Sequence, residues 1–344
     1  MNGHVTIADV ANHLGVSKST VSHALSGKRR ISAEVRSQVM QAVKELGYRP
    51  NFAARVMNTR RTGLVGVLVD SLNNPHNTAL LEEFGRAFSS YSIQMVLGTA
   101  DRLEDGRSLL AKFCSGMVDG ILNTLPELDA DEAQELAGSI PVVTYRRHRQ
   151  SPLVIDFAAG ARTALAYLLK LGHRHIAMIP SGNRMQNNLP DPCCTAYCEQ
   201  MALIGVPPQI IPVREDTLLA GYEVADRLFD GNATAVLAGN DAVAAGLIRR
   251  AIERGIRLPE HMSIIGHDDS PIAVVTSPPL TTLRLPIGPI AAHTVQVLMH
   301  AVDPAVPIPE PLTIVPELIV RKSSVNFDNQ KQEVPYGEKK FYTH

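Results

Sequence analysis

The stretch that most constrains this chain is its beginning. Val5-Thr6-Ile7-Ala8-Asp9-Val10-Ala11-Asn12-His13-Leu14-Gly15-Val16-Ser17-Lys18-Ser19-Thr20-Val21-Ser22-His23 reads as two short helices joined by a tight turn. Thr6 stands at a cap position, and Ile7, Val10, Ala11 and Leu14 recur at helical spacing. Gly15 supplies turn backbone that a residue with a Cβ resists. Ser17 is placed to cap the second helix, which turns Val21, Ala24 and Leu25 inward and Lys18, Ser19, Ser22 and His23 outward. A third helix follows Ser32 and buries Val35, Val39, Val43 and Leu46. This is a helix-turn-helix pattern, in which the second helix enters the major groove of DNA. A three-helix bundle used for protein contacts is the alternative, and charge decides between them. Residues 1–61 hold ten Lys/Arg against Asp9, Glu34 and Glu45, a net of +7; the whole chain is −1, so the remainder carries −8. A basic domain on an acidic body suits phosphate contact.

The 344 residues, 45% hydrophobic, suffice for two or three domains. No apolar run reaches membrane-spanning length and no signal-peptide core precedes the helices, so a cytoplasmic protein is expected. Cys114, Cys193, Cys194 and Cys198 do not form a disulfide framework or a zinc spacing and are expected to be free thiols, with no metal bound. The sequence has no nucleophile elbow, glycine-rich phosphate loop or metal motif, which argues against an enzyme and against a cofactor.

Pro50 stops the third helix, and Asn51 opens a short helix through Ala53-Ala54-Arg55-Val56-Met57 that is marginal alone and needs a partner or a DNA surface. From Leu64 the pattern alternates strand and helix. Strands are expected at 64–69, 93–97, 120–122, 142–143, 176–179, 210–213, 235–237 and 263–265, with helices near 78–90, 158–171, 195–204, 219–229, 241–254 and 287–301. Two such βα series imply two doubly wound parallel-sheet lobes whose ligand sits at the carboxyl ends of the strands, in the cleft between them. Residues 325–344 read as a polar tail with no heptad.

These residues resemble the lactose-repressor/galactose-repressor (LacI/GalR) family of bacterial transcriptional regulators. The resemblance runs from about Val5 to Ser324. It rests on Thr6-Ile7-Ala8-Asp9-Val10-Ala11 with Gly15-Val16-Ser17 and Thr20-Val21-Ser22, and on Leu46-Gly47-Tyr48-Arg49-Pro50-Asn51. Further matches are Val118-Asp119-Gly120-Ile121, Leu171-Gly172-His173-Arg174-His175-Ile176, Gly239-Asn240-Asp241, Ile264-Ile265-Gly266-His267-Asp268-Asp269, Pro278-Pro279-Leu280-Thr281-Thr282 and Leu318-Ile319-Val320-Arg321-Lys322-Ser323.

The resemblance implies an all-α helix-turn-helix headpiece (1–47), a hinge helix (48–63) and a periplasmic-binding-protein-like α/β core (64–324) for effector binding and dimerisation. In that core the N-lobe combines about 64–156 with 287–324, and the C-lobe spans about 157–286. It implies a regulator, as a repressor, that binds a near-palindromic double-stranded operator as a homodimer. The DNA-contacting residues would be Thr6, Ser17, Lys18, Ser19, Thr20, Ser22, His23 and Arg30, joined by Asn51, Ala54, Arg55 and Met57 of the hinge, where Met57 takes the place of a leucine wedge. The effector would meet Asn74, His76, Arg146, Cys193, Asn240, Asp241 and Asp268. Asp241 has a helix-capping reading beside the ligand one. Cys193 stands where the family usually has an arginine, His76-Asn77 where aromatics are common, and Arg146 where an acid or amide is common. A guanidinium there suits an acidic, carbohydrate-derived metabolite. A sugar-binding protein of the same core that does not act on DNA is the competing reading.

Overall fold

In the computed structural model, residues 5–26, 31–48, 56, 59, 61–100, 102–145, 153–182, 184 and 190–330 are described. Arg30, Asn51, Ala54, Arg55, Met57 and Arg146 lie outside them, as does the tail beyond 330. The chain divides into two compact units, Met1–Thr62 and Gly63–His344.

The first unit contains α1 (Ile7–Leu14), α2 (Lys18–Ser26) and α3 (Ala33–Leu46). Val10, Ala11, Val21, Ala24, Val39 and Ala42 form its buried centre, with Ile7, Leu14, Val35, Val43 and Leu46 packed around them. Gly15 takes the left-handed conformation (φ 66°) that turns the chain between α1 and α2. Thr6 is the N-cap of α1, as expected, and Asp9 reaches back to it in a capping box. The Thr6 N–H and hydroxyl both donate to Asp9 Oδ2, each at 2.8 Å. Those two bonds hold the Asp9 carboxyl below its ordinary range. Ser17 caps α2 by accepting from Thr20 N at 3.1 Å, and Ser32 caps α3 by accepting from Val35 N at 3.3 Å.

The second unit alternates strand and helix through β1 (Leu64–Val69), α4 (Pro75–Ser89), β2 (Gln94–Thr99), α5 (Leu103–Cys114), β3 (Gly120–Asn123), α6 (Ala130–Ala137), β4 (Val142–Thr144) and β5 (Leu153–Ile155). It continues with α7 (Phe157–Lys170), β6 (Ile176–Ile179), α8 (Pro192–Leu203), β7 (Gln209–Ile210), α9 (Leu218–Phe229), β8 (Ala235–Ala238), α10 (Asp241–Glu253) and β9 (Ser263–Asp268). It ends with α11 (Pro271–Val275), β10 (Thr281–Arg284), α12 (Ile287–Val302), β11 (Leu312–Ile314), β12 (Glu317–Ile319) and α13 (Phe327–Gln330). One sheet has the order β2-β1-β3-β4 and another β12-β10-β9-β8-β6-β7, while β11 and β5 form a pair. All pairings are parallel except β10 with β12. β1 and β3, flanked on both sides in the first sheet, are apolar through most of their length, as strands covered by helices on both faces must be.

Three connections pass between the lobes: after Ile155, after Arg284 and after Ile314. The last corrects the expected division, which kept 287–324 in the N-lobe. β11 does pair with β5 of that lobe, but Leu318 and Ile319 pair with Leu283 and Thr282 in the C-lobe sheet. The edge of β10 is thereby covered, and Ser323 is locked in beside it: its hydroxyl donates to Ile264 O at 2.5 Å and accepts from Thr281 N at 2.8 Å. The segment after Ser324 is likewise not all loose tail. Val325 N donates to Ser263 Oγ at 3.0 Å, Val325 O accepts from His173 Nε2 at 3.0 Å, and the Phe327 ring meets the His173 ring edge-on.

Candidate functional site

Two sets of residues are candidates, one in each unit. In the first, Lys18, Ser19 and Ser22 are exposed along α2 while Val21 and Ala24 of the same helix are buried. Thr20 and His23 are half-buried at its flanks. Ser17 Oγ is 2.7 Å from Ser19 Oγ and 2.8 Å from Thr20 Oγ1, so three hydroxyls cluster at the helix start. A helix N-terminus with hydroxyls and a lysine can meet phosphate and base edges at once. Thr6 is exposed, with its hydroxyl engaged by Asp9.

In the second unit a cavity of about 520 Å³ lies where strands of both lobes end. β1 leads to Asp70, β3 to Thr124, β4 to Tyr145, β6 to Ser181, β8 to Gly239 and Asn240, and β9 ends in His267 and Asp268. Parallel sheets leave their strand ends open in this way because every crossover helix returns to the other end. Asn74, His76 and Cys193 also line the cavity.

Most of these polar groups are braced. Asn74 caps α4 by accepting from His76 N at 2.9 Å, and Asn77 Nδ2 donates to Asp70 Oδ1 at 2.7 Å. Asp191 caps α8, accepting from Cys193 N at 2.9 Å, and also accepts from Ser181 N at 3.1 Å. Asp216 takes the Ser181 hydroxyl and Gly182 N, both at 2.7 Å. Asn240 accepts from Val243 N at 2.7 Å and donates to Asp216 O at 3.0 Å, so Asn240 is the residue that caps α10.

Asp241 corrects the sequence reading, since it neither lines the cavity nor caps the helix. It is 1% exposed and accepts from Ser270 N at 2.7 Å, Ser270 Oγ at 3.1 Å and Thr282 Oγ1 at 2.5 Å. Burial, aided by the nearby Asp268 charge, pushes its carboxyl up to about 7. It ties α10 to the turn after β9 and to β10, and Gly266 leaves room for it because a Cβ there would strike its carboxylate. Cys193 does line the cavity, but as a thiol: its Sγ lies 3.6 Å from Phe157 O, and burial pushes it up to about 12. It supplies no charge in the place of an arginine. The guanidinium among the described lining residues is Arg184, which donates to Pro190 O at 2.7 Å.

The backbone at Asp268 and Asp269 has φ of 104° and 54°, a region that non-glycine residues rarely occupy. Asp269 is held there by Arg284 Nε and Arg321 Nη2, each at 2.6 Å. This clamp aims Asp268 at the cavity, where His267 Nδ1 donates to it at 3.0 Å and His76 Nδ1 lies at 3.5 Å. The His267 ring is packed against Phe157, 5.6 Å between centroids.

Sequence reasoning did not select Asp70, Thr124, Arg184, Asp191, Asp216 or His267. Asp70, Thr124 and His267 stand at or just beyond strand ends, and the strand-end rule applied to every strand finds them. Asp191 and Asp216 lie in irregular segments that carry no periodic signal, and Arg184 has helical backbone where the sequence shows no helical pattern. Among the described residues there is no cluster of His, Cys, Asp and Glu able to hold a metal ion.

The comparisons with known proteins agree with this division of labour. Residues 6–51 match the model "Bacterial regulatory proteins, lacI family", and residues 165–324 match a periplasmic binding protein-like domain. The HTH-type transcriptional regulator DegA of Bacillus subtilis is 30% identical over 336 residues, covering 93% of this chain and 98% of that protein. The ribose operon repressor of Halalkalibacterium halodurans is 30% identical over 334 residues, covering 95% and 99%. Among solved structures, the Lac repressor dimer bound to operator and an anti-inducer superposes with a TM-score of 0.81 at 22% identity, covering 94% of this chain and all of that one. A transcriptional regulator CelR–cellobiose complex superposes with a TM-score of 0.65 at 26% identity, covering 93% and 100%. A headpiece with an outward-facing second helix, followed over nearly the full length by a two-lobed core, places this chain in the lacI family of bacterial regulatory proteins.

Proposed function

We propose that this DNA-binding transcriptional regulator acts as a repressor in the cytoplasm, binding a near-palindromic operator as a homodimer with one headpiece per half-site. As a family member it regulates transcription and is not an enzyme. The observation that carries the DNA reading is the two-sided α2: Val21 and Ala24 buried, Lys18, Ser19 and Ser22 exposed at one end. Thr6, Ser17, Thr20, His23 and Arg30 flank that face in sequence, and Asn51, Ala54, Arg55 and Met57 form the hinge part of the same proposal, with Met57 as the minor-groove wedge. No helix among the described residues is long and apolar enough to cross a membrane.

The cleft supports a hydroxyl-rich effector. Related regulators have been solved with cellobiose, lactose and ribose, and a cavity of about 520 Å³ holds a molecule of that size. Its charge turns the reading away from an acidic metabolite. Asp70, Asp191, Asp216 and Asp268 face Arg184 as the one guanidinium among the described lining residues. Carboxylates accept hydroxyl protons and repel an anion. Asn74, His76, Asn240 and Asp268 are the effector contacts of this reading, and Arg146 belongs to it by sequence alone.

Selection from a random duplex pool tests the DNA reading: two-fold-symmetric sites with a distorted centre are expected, and enriched sites without symmetry would overturn it. Thermal shift with ribose, lactose, cellobiose and gluconate tests the ligand. A neutral sugar at a hundred times its dissociation constant adds about 2.7 kcal/mol, and a shift with gluconate alone would restore the acidic version.

A further inference from the structure

One contact in the cleft joins the lobes through titratable groups. His76 stands in the first turn of α4, in the N-terminal lobe, and Asp268 ends β9 in the other. The two meet at 3.5 Å, and the Asp268 oxygen that faces His76 also accepts from His267 at 3.0 Å. All three side chains are largely removed from water, with 9%, 13% and 9% exposure for His76, Asp268 and His267. The backbone that presents Asp268 is held out of its ordinary range by the Arg284 and Arg321 clamp on Asp269.

A carboxylate oxygen between two imidazoles is a place for a proton. When an imidazole is protonated, its contact with the Asp268 carboxylate gains the attraction of opposite charges. His267 is the chain neighbour of Asp268, so their contact is local to one lobe and survives separation. His76 reaches Asp268 only while the lobes are together. Closure therefore raises the proton affinity of His76, and by linkage a proton on His76 favours closure. The groups around the bridge do not reverse this sign. Asp70, Asp191 and Asp216 face the same space, and Arg184 opposes them. The Cys193 thiol is neutral, and Asp241, behind Asp268, is pushed up to about 7 by burial and by Asp268 itself. Tyr145 contributes a phenol. Among the described lining residues carboxylates outnumber the guanidinium, which favours the imidazolium.

We propose that His76 and Asp268, with His267 bracing the carboxylate from within its own lobe, form a proton-binding latch between the lobes, so that acidification favours the closed cleft and the regulator's response varies with pH near neutrality. The test uses the full chain without DNA or ligand, so its failure leaves the regulator reading untouched. Hydrogen exchange is measured at about pH 6 and about pH 8, on either side of the ordinary imidazole value, and corrected for the intrinsic rate. Segments on both cleft walls, around His76 and Asp268, are expected to be several-fold better protected at the lower pH. His76→Gln, which keeps a hydrogen-bond donor without a titrating ring, is expected to abolish that difference, and Asp268→Asn to do the same. Equal protection at both values, the opposite sign, or a difference that persists in either variant would overturn the latch. Small-angle scattering of the wild-type chain gives an answer independent of the variants. A smaller radius of gyration is expected at the lower pH, and an equal or larger one would overturn the proposal.

Discussion

In the headpiece, the groups offered to a partner stand on the outside of one nine-residue helix, and what lies beneath them is a handful of small apolar residues. In the cleft the corresponding groups come from both lobes, and several are buried or half-buried and already bonded: Asn240 to Val243 and Asp216, Asp191 to Ser181 and Cys193, Asp216 to Ser181 and Gly182. The first arrangement separates holding from contacting. Lys18 can be changed without disturbing Val21, because its side chain is exposed while that of Val21 is fully buried. The second merges the two, so that a cleft residue replaced alone alters the frame as well as the ligand contact. The headpiece depends on a small core, and the cleft on a connected polar network.

The largest expected effect comes from breaking the headpiece at its centre. Val21 is fully buried against α1 and α3, and Val21→Asp places a charge there with no partner. A penalty of about 3–5 kcal/mol is expected, more than so small a core can absorb. Calorimetry should then lose the headpiece transition and keep that of the core, with operator binding gone. One transition lowered as a whole would mean that the two units do not melt separately, and the contrast drawn above would fail.

Asp241 sharpens the other side of the comparison, because it is a buried brace with a titration of its own. Its carboxyl is raised to about 7 in the folded chain from an ordinary value of 3.8. The folded state thus holds a proton that the unfolded state releases. The stability this contributes is full below the ordinary value and is lost as pH rises through 7. Asp241→Asn removes the titration and retains an acceptor for Ser270. Above neutrality the variant core is expected to be more stable than wild type by about 2–4 kcal/mol, with little difference near pH 4. Thermal melts across that range read it directly, and parallel curves for the two proteins would show that Asp241 is ionised throughout.

Legibility followed the same divide. α1, α2 and α3 were readable because their apolar residues lie within a few positions of one another and their caps are local: Ser17 and Ser32 each bond the residue three ahead. β1 to β4, β6, β8 and β9 were readable as apolar runs, whereas the strand expected at 210–213 is confined to Gln209–Ile210 and β5, β10 and β11 were not foreseen; Asn74, His76, Cys193, Asn240 and Asp268 do come together at strand ends. What could not be read is what depends on partners far along the chain. Asp241 looks like a cap or a ligand contact until Ser270 and Thr282 arrive beside it. Thr281–Arg284 is polar and follows two prolines, so it shows no strand pattern; its place is set by β9 on one side and β12 on the other. Arg184, helical in backbone, and Asp216, on a loop, enter the cleft on segments whose course only the fold determines.

The end of the chain offers a smaller and more local test. The composition of 325–344 reads as a polar tail, yet Val325 and Phe327 are docked on His173. Burial lowers the His173 imidazole below its ordinary value, which keeps a neutral ring available to donate to Val325 O through Nε2 and accept from Thr234 through Nδ1. A chain cut after Ser324 is expected to lose about 1–3 kcal/mol of core stability, the value of the backbone hydrogen bonds of Val325 and Phe327 and a ring contact. A chain cut after Gln330 should melt like the full-length protein. Sedimentation of the second form is expected to show the same dimer as the whole chain. A tail-dependent larger assembly would contradict a dimer built by the lobes.

The smallest effect belongs to the exposed face of the headpiece, and it is where the contrast is most exposed to failure. If Lys18 does nothing but contact DNA, Lys18→Ala should leave the headpiece transition in place, since the side chain is exposed and Val21 and Ala24 remain buried beneath it. Operator affinity should fall by about 1–2 kcal/mol. The manner of the fall identifies the contact. A phosphate contact weakens binding to all sequences alike and reduces the salt slope by about 1. A contact to a guanine edge instead relaxes the base preference at one position of each half-site. Fluorescence anisotropy across a salt series, on the selected operator and on its single-base variants, separates the two. A variant with unchanged affinity, slope and base preference would remove Lys18 from the interface. The hydroxyls of Ser17, Ser19 and Thr20 would then be the groups at the start of α2 left to meet DNA.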